Sequence, residues 1–243
     1  MSQNSLGVRF LSAFNDIESH FRASIDVNGA LTFTALTQKY VDRHRPIRPQ
    51  RDALAAFALL RNAIAHGRYY NGQPIAEPVE QVVLQIEQLR DQLRQPPTAL
   101  SVAAVRNVVT VRDFDSVGTA LEHVRTHDFS QFPVYDSHNA YQGLLTTNTV
   151  ARWLASQLRD QGGLAEDQTV AEVLHFAETH ERATFLPRTA SIVVALQALT
   201  HPPQSERAPT ALIITHSGRE SEQPLALLVV DDIPELVARV SLA

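Results

Sequence analysis

Two stretches of this chain repeat one pattern: VVTVRDFDSVGTALEHV, from Val108 to Val124, and ATFLPRTASIVVALQAL, from Ala183 to Leu199. Each begins with a short apolar run, crosses a polar turn and continues with apolar residues at helical spacing. They lie 75 residues apart, and a second echo, QGLLTTNTV around Gly143 and LALLVVDDI around Ala226, lies 83 apart. The difference of eight residues fits an insertion in the second copy, most simply the Pro- and polar-rich stretch His201 to Pro209. Between the echoes of the first copy stands a β-branched and aromatic run, Phe132-Pro133-Val134-Tyr135. The repeating unit therefore reads βαββα, with strand runs alternating with helices such as Ser116 to Arg125. One such small sheet cannot cover its own apolar face, so the two copies are expected to pack together as a pseudo-symmetric pair.

Ahead of the repeat the period is helical. Phe10, Leu11, Phe14, Ile17 and Phe21 fall at three- and four-residue intervals within Leu6 to Phe21, and Leu31 to Val41 repeats this more weakly. Two prolines break the pattern across Arg43 to Pro49, which reads as a loop. The Ala- and Leu-rich run from Arg51 to His66 follows, closed by Gly67 as a C-cap. A last helix is expected from Glu77 or Pro78 to about Arg94, with Val79, Val82, Val83, Ile86, Leu89 and Leu93 on one face. Pro96-Pro97 ends it. The expected organisation is a helical domain over 1–95, a linker over 96–99 and the repeat over 100–243, with copies at about 100–160 and 165–243. The fold class is α+β, an all-α bundle followed by a tandem βαββα pair with helices packed on small sheets.

Composition narrows the function classes. With 44% hydrophobic and 19% charged residues, the 243-residue chain has the balance of a soluble globular protein. The absence of cysteine excludes a disulfide framework, thiolate metal ligands and a cysteine nucleophile. No apolar run reaches the roughly 18 residues a membrane span requires, and the first residues lack a signal-peptide layout. A cytoplasmic protein with no membrane partner is the expectation. The charge is uneven: residues 1–95 hold 11 basic against 9 acidic residues, and 96–243 hold 10 against 17. A net +2 and a net −7 point to different partners, and the acidic half is a poor nucleic-acid surface.

The strand Phe132-Pro133-Val134-Tyr135-Asp136 and the strand end Gly143-Leu144-Leu145-Thr146-Thr147-Asn148-Thr149 resemble a cystathionine-β-synthase-type (CBS) module. With Leu212-Ile213-Ile214-Thr215 and Ala226-Leu227-Leu228-Val229-Val230-Asp231-Asp232-Ile233, the two copies resemble a tandem CBS pair over about 145 residues. The resemblance implies clefts between copies that bind adenosine-containing ligands such as AMP, ATP or S-adenosylmethionine, with no cofactor required. A carboxylate at a helix start accepts both ribose hydroxyls, while a threonine hydroxyl and backbone N–H groups donate to phosphate. The first copy keeps Thr146 but has Thr149 where the family often has Asp. The second keeps Asp232 but has Val229 where Ser or Thr is usual. Asp232 is therefore the expected ribose contact, with Thr146 and Thr149 in the other cleft and Thr110 and Val134 as further ligand neighbours. Asp232 also reads as the N-cap of a last helix, Ile233 to Val240, with Pro234 in its first turn, and the two roles are compatible. Arg106, Arg182 and Arg188 suit either phosphate or water.

In the helical half, Arg61-Asn62-Ala63-Ile64-Ala65-His66-Gly67 resembles the Arg-polar-x-x-x-His signature of HEPN domains, helical bundles that include metal-independent ribonucleases. The resemblance implies proton transfer by His66 and stabilisation by Arg61 of the charge growing on phosphate, as a ribose 2′-hydroxyl attacks. Asn62 shares a helix face with His66 and suits it as an orienting group. Arg61 stands about 140° round the helix from His66, so the family's two-fold homodimer is part of this reading. Arg43, Arg45 and Arg48 supply a basic loop for RNA backbone, or simply solvate it. Arg61 and His66 near a helix C-terminus are equally favoured by the macrodipole alone. Asp16, Glu18 and His20 alternate round the first helix, and no metal site is expected. Two functions from different classes follow. The first is a ligand-regulated endoribonuclease, with RNA as substrate and an adenine nucleotide as regulator. The alternative is a non-enzymatic adenine-nucleotide sensor whose helical domain only dimerises or recruits a partner.

Overall fold

Apolar spacing at four, three and four residues makes one side of α1 (Leu6–Ile25) continuous, and Phe10, Phe14, Ile17 and Phe21 are all buried there. These details come from a computed structural model that describes residues 5–25, 31–44, 50–66, 76–103, 108–127, 129–160, 168–200 and 207–240. They fall into two compact units, one of residues 1–97 with 237–243 and one of residues 98–236.

In the helical unit α1 packs on α2 (Phe33–Arg43), α3 (Arg51–His66) and α4 (Glu80–Arg94). Thr32 caps α2, its hydroxyl accepting from the Ala35 N–H at 3.3 Å. An aromatic seam joins α1 to α2: Phe14 meets Phe33 at 4.3 Å between ring centroids, and Phe21 stacks on Tyr40 at 4.2 Å. The unit's second segment holds the end of the last helix, and Gln50 donates its side-chain amide to the Val240 carbonyl there, both residues buried.

Helix α4 corrects the expected start at Glu77 or Pro78. It begins at Glu80, with Val79 extended at φ −73° and ψ 151° as its N-cap. Pro78 is buried outside the helix, one residue before the cap, and Val83 is buried four residues after it. These are the two positions that a hydrophobic staple occupies, and Pro78 precedes the cap instead of standing in the first turn.

The second unit contains two three-stranded sheets among the described residues, ordered β1-β2-β3 and β4-β5-β6. The first copy runs β1 (Val111–Arg112), α6 (Val117–His127), β2 (Gln131–Tyr135), β3 (Tyr141–Thr146) and α7 (Thr147–Asp160). The second runs β4 (Ala183–Pro187), α9 (Ile192–Thr200), β5 (Ala211–Thr215), β6 (Ala226–Val229), one 3₁₀ turn (Val230–Asp232) and α10 (Ile233–Val240). In both sheets the first strand is parallel and the third antiparallel to the middle one. The α+β class and the βαββα order of both copies are as the repeat implies. The strand expected over Val108 to Val111 is shorter, because only Val111 and Arg112 pair with Val134 and Tyr135. The turn after it is closed by Asp115, whose carboxylate accepts the Arg112 N–H at 2.7 Å. Of the insertion expected over His201 to Pro209, residues 201–206 lie outside the described residues.

Two short helices precede the copies, α5 (Ala99–Ala103) and α8 (Val170–Leu174), and each packs on the other copy. Thr98 bridges Ser191 and the Ala99 N–H donates to the Ala190 carbonyl at 2.8 Å, so α5 lies on α9 and β6. Reciprocally, Thr169 bridges Ser116, and Val170 and Val173 of α8 complete the core formed by Val111, Phe132, Val134, Leu145 and Trp153. A capping box between Thr169 and Glu172 starts α8.

Candidate functional site

The two strand ends singled out by the repeat sit at equivalent places, at the close of β3 and of β6, where the chain turns into a helix. Their side chains do different work. At the end of β6, Asp232 is 7% exposed, and its Oδ2 accepts the Val229 N–H at 2.8 Å. The carboxylate thus reaches back to the strand end and closes the 3₁₀ turn that precedes α10. Asp231 beside it is exposed. The bond of Asp232 closes the 3₁₀ turn, where the sequence reading made it the N-cap of the last helix; α10 carries Pro234 in its first turn, as expected.

At the end of β3 the site is built around a residue that no motif indicated. Thr146 and Thr149 are buried, and the Thr149 N–H donates to Thr146 Oγ1 at 3.0 Å, which caps α7. Both hydroxyls reach the carboxylate of Glu181: Thr146 Oγ1 lies 2.5 Å from Oε1, and Thr149 Oγ1 lies 3.2 Å from Oε2. The same Oε2 accepts the Glu178 N–H at 2.8 Å and an Nη2 hydrogen bond from Arg152. Arg152 is held in turn by its Nε, which donates to the Phe176 carbonyl at 2.8 Å, and by Glu178 at 3.8 Å. The Glu181 side chain is only 2% exposed, whereas that of Arg152 is 33% exposed. A buried carboxylate of this kind persists because every oxygen is supplied with donors and a cation faces it.

The other candidates are dispersed. Val134 lies in the middle of β2, paired with Val111 and Gly143, and its side chain belongs to the apolar core. Thr110 is exposed, just ahead of β1. Arg182 donates to the Arg207 carbonyl at 3.1 Å, Arg188 is exposed in the turn after β4, and Arg106 lies outside the described residues. Glu181 and Arg106 are themselves 75 residues apart, so the repeat sets an arginine in the first copy against the glutamate of the second.

In the helical unit Arg61 lies on α3 with its guanidinium 5.9 Å from the centroid of the Phe14 ring, and its Nη1 donates to Asn62 Oδ1 at 3.2 Å. His66 is the last residue of α3; its side chain, with Gly67, Arg45 and Arg48, lies outside what is described. Arg43 donates to the Ser24 carbonyl at 3.1 Å. The three groups of α1 have separate partners: Asp16 pairs with Arg94, Glu18 with Arg22, and His20 meets the Tyr40 hydroxyl at 3.1 Å. No described helix is long and apolar enough to cross a membrane.

Sequence spacing could not have found Glu181, which lies 35 residues from Thr146. The one available signal was a gap: Thr149 stands where the resemblance calls for an acid, and a distant segment supplies the carboxylate.

Residues 101–156, which hold most of the first copy, match the family model described as CBS domain. No curated protein matches the chain. Among solved structures it is similar to the CBS domains of a transcriptional regulator from Streptococcus pneumoniae, at 21% identity over 52% of this chain and 86% of that one, TM-score 0.34. It is also similar to the CBS domain of a bacterial CNNM/CorC family Mg2+ transporter in complex with ATP, at 18% identity over 65% of this chain and 94% of that one, TM-score 0.41. A third likeness is to CBSX2 in complex with AMP, at 12% identity over 59% of this chain and 98% of that one, TM-score 0.43.

Proposed function

We propose that the chain is a non-enzymatic sensor of an adenosine-containing ligand such as AMP, ATP or S-adenosylmethionine, read by its second CBS-type copy. In this reading the helical unit acts as the effector by dimerising or recruiting a partner. The supporting observation is the pair of equivalent strand ends in a unit whose residues 101–156 match the CBS model: one end holds Glu181, and the other carries the buried Asp232. The Asp232 Oδ2 accepts the Val229 N–H, and a carboxylate at a strand-to-helix turn is an acceptor of the kind a ribose diol requires.

The test is a melting-temperature series of the full chain with each of the three ligands in excess. The wild type is expected to gain stability with at least one of them. Asp232→Asn, which keeps the acceptor for Val229 but drops the charge, is expected to weaken binding about 10- to 100-fold, since each hydrogen bond to a charged group contributes about 1.5–3 kcal/mol. A wild type that none of the three ligands stabilises ends this reading. The rival endoribonuclease reading rests on Arg61, Asn62 and His66 as a motif, and it predicts that Arg61→Ala and His66→Ala lose RNA cleavage by the purified chain.

A further inference from the structure

The cluster at the end of β3 has the composition of a receptor for an oxyanion. Two threonine hydroxyls, a guanidinium and a backbone N–H converge within one buried volume, and the group they hold is a carboxylate. A carboxylate has about four acceptor positions; of these four donors one reaches Oε1 and three reach Oε2. The start of α7 adds a favourable field, since Thr146 and Thr149 flank its first turn. Phosphate oxygens accept from the same donor types in the same way.

The occupant comes from the chain itself. Glu181 sits in the turn ahead of β4, between Glu178, whose side chain is exposed, and β4. That turn is tethered at both ends: Arg152 holds the Phe176 carbonyl, and Thr210 holds the carbonyls of His180 and Arg182 at 2.9 and 3.0 Å. The strand end of the second copy differs in residue type. Val229 replaces the first threonine, and Asp232 brings a negative charge where Thr149 brings a donor.

We infer that Thr146, Thr149, Arg152 and the Glu178 N–H form an oxyanion-binding site which Glu181 keeps closed, so that a phosphate-bearing ligand enters the first copy only by displacing that carboxylate. The two strand ends are then unequal by construction: the end of β3 sets donors around a carboxylate of the chain itself, and the end of β6 carries a carboxylate of its own. The inference stands on the donor set and does not depend on adenosine recognition by Asp232.

The experiment uses the full chain and two probes, inorganic phosphate and AMP, each titrated by calorimetry into wild type, Glu181→Ala and Glu181→Gln. The Ala variant is expected to bind phosphate on the order of tenfold or more tightly than wild type, because four donors lose their competitor. Adding Arg152→Ala is expected to remove that gain. Glu181→Gln keeps the shape and drops the charge, and its gain should be intermediate, which serves as the test where the Ala variant fails to fold. A folded variant with no gain for phosphate overturns the inference, and so does a wild type that binds phosphate equally well. A gain for AMP without one for phosphate also overturns it, because the site would then recognise the nucleoside. Loss of AMP binding in Glu181→Gln would make Glu181 itself a ligand contact and overturn it as well. Phosphate binding gained by a chain that never binds adenosine ligands would leave this site standing and the sensor reading refuted.

Discussion

Glu181 carries a physical consequence that can be measured without any ligand. Its carboxylate is nearly inaccessible to water and depends on Arg152 for compensation, while Arg152 is a third exposed. Removing the arginine leaves a buried, uncompensated charge, and breaking such a pair costs about 3 kcal/mol even at the lower side of the usual range. Removing both residues discards the charge together with its partner. The double variant Glu181→Ala/Arg152→Ala is therefore expected to be less destabilised than the sum of the single variants by about 1–3 kcal/mol. Urea unfolding of the four proteins measures this, and strict additivity would show that the contact carries no coupling. Thr146→Val removes one donor from Oε1 and is expected to cost about 1–3 kcal/mol. The threonines of this site were legible as a strand-end motif. The glutamate was not, because a buried ion pair closed through tertiary structure leaves no spacing behind.

At the scale of elements, the seam between α1 and α2 carries the pH dependence. His20 on α1 meets the Tyr40 hydroxyl, and Tyr40 of α2 lies 4.5 Å from the His44 ring just past that helix. Burial holds His20 below the usual imidazole range, with Arg94 adding to it. Burial, then Arg43 and His20, do the same to His44, and burial pushes the Tyr40 phenol up to about 12. For a histidine lowered on folding, the unfolded chain takes up its proton first as pH falls. Stability is then full above the unfolded value of about 6.5 and declines below it, through the window that ends at the lower folded value. The helical unit is expected to lose melting temperature between about pH 7.5 and 5.5, and His20→Gln/His44→Gln should lose less over the same interval. An equal loss in both proteins would place the acid sensitivity elsewhere. Helix α1 was legible because its apolar spacing is strict, and α4 was legible along its face but not at its start. Proline excludes α-helical geometry in the residue before it and suits several positions around a helix entry, so only packing showed that Pro78 precedes the cap.

For the whole molecule, the repeat told which elements exist and in what order, but not which copy each leading segment serves. A segment that precedes a copy in sequence would be assigned to it by default. Here α5, ahead of the first copy, lies on α9 and β6 of the second, and α8, ahead of the second, closes the core of the first. The crossing ties the two copies into one unit through their arms, each of which supplies a buried apolar pair to the other's surface: Ala99 and Val102 from α5, Val170 and Val173 from α8. Short helices of this kind have too little length to be stable alone, so their order depends on the copy that receives them. Val102→Asp would place a charge in the contact of α5 and is expected to cost several kcal/mol. The location of the damage decides the matter. Amide exchange should accelerate in β5 and β6, whose sheet α5 covers, while β2 and β3 keep the protection of the wild type. Val173→Asp in α8 is expected to do the opposite, exposing β2 and β3 first. If each substitution instead loosened the copy that follows it in sequence, the arms would not be crossed, and the unit would be two modules side by side.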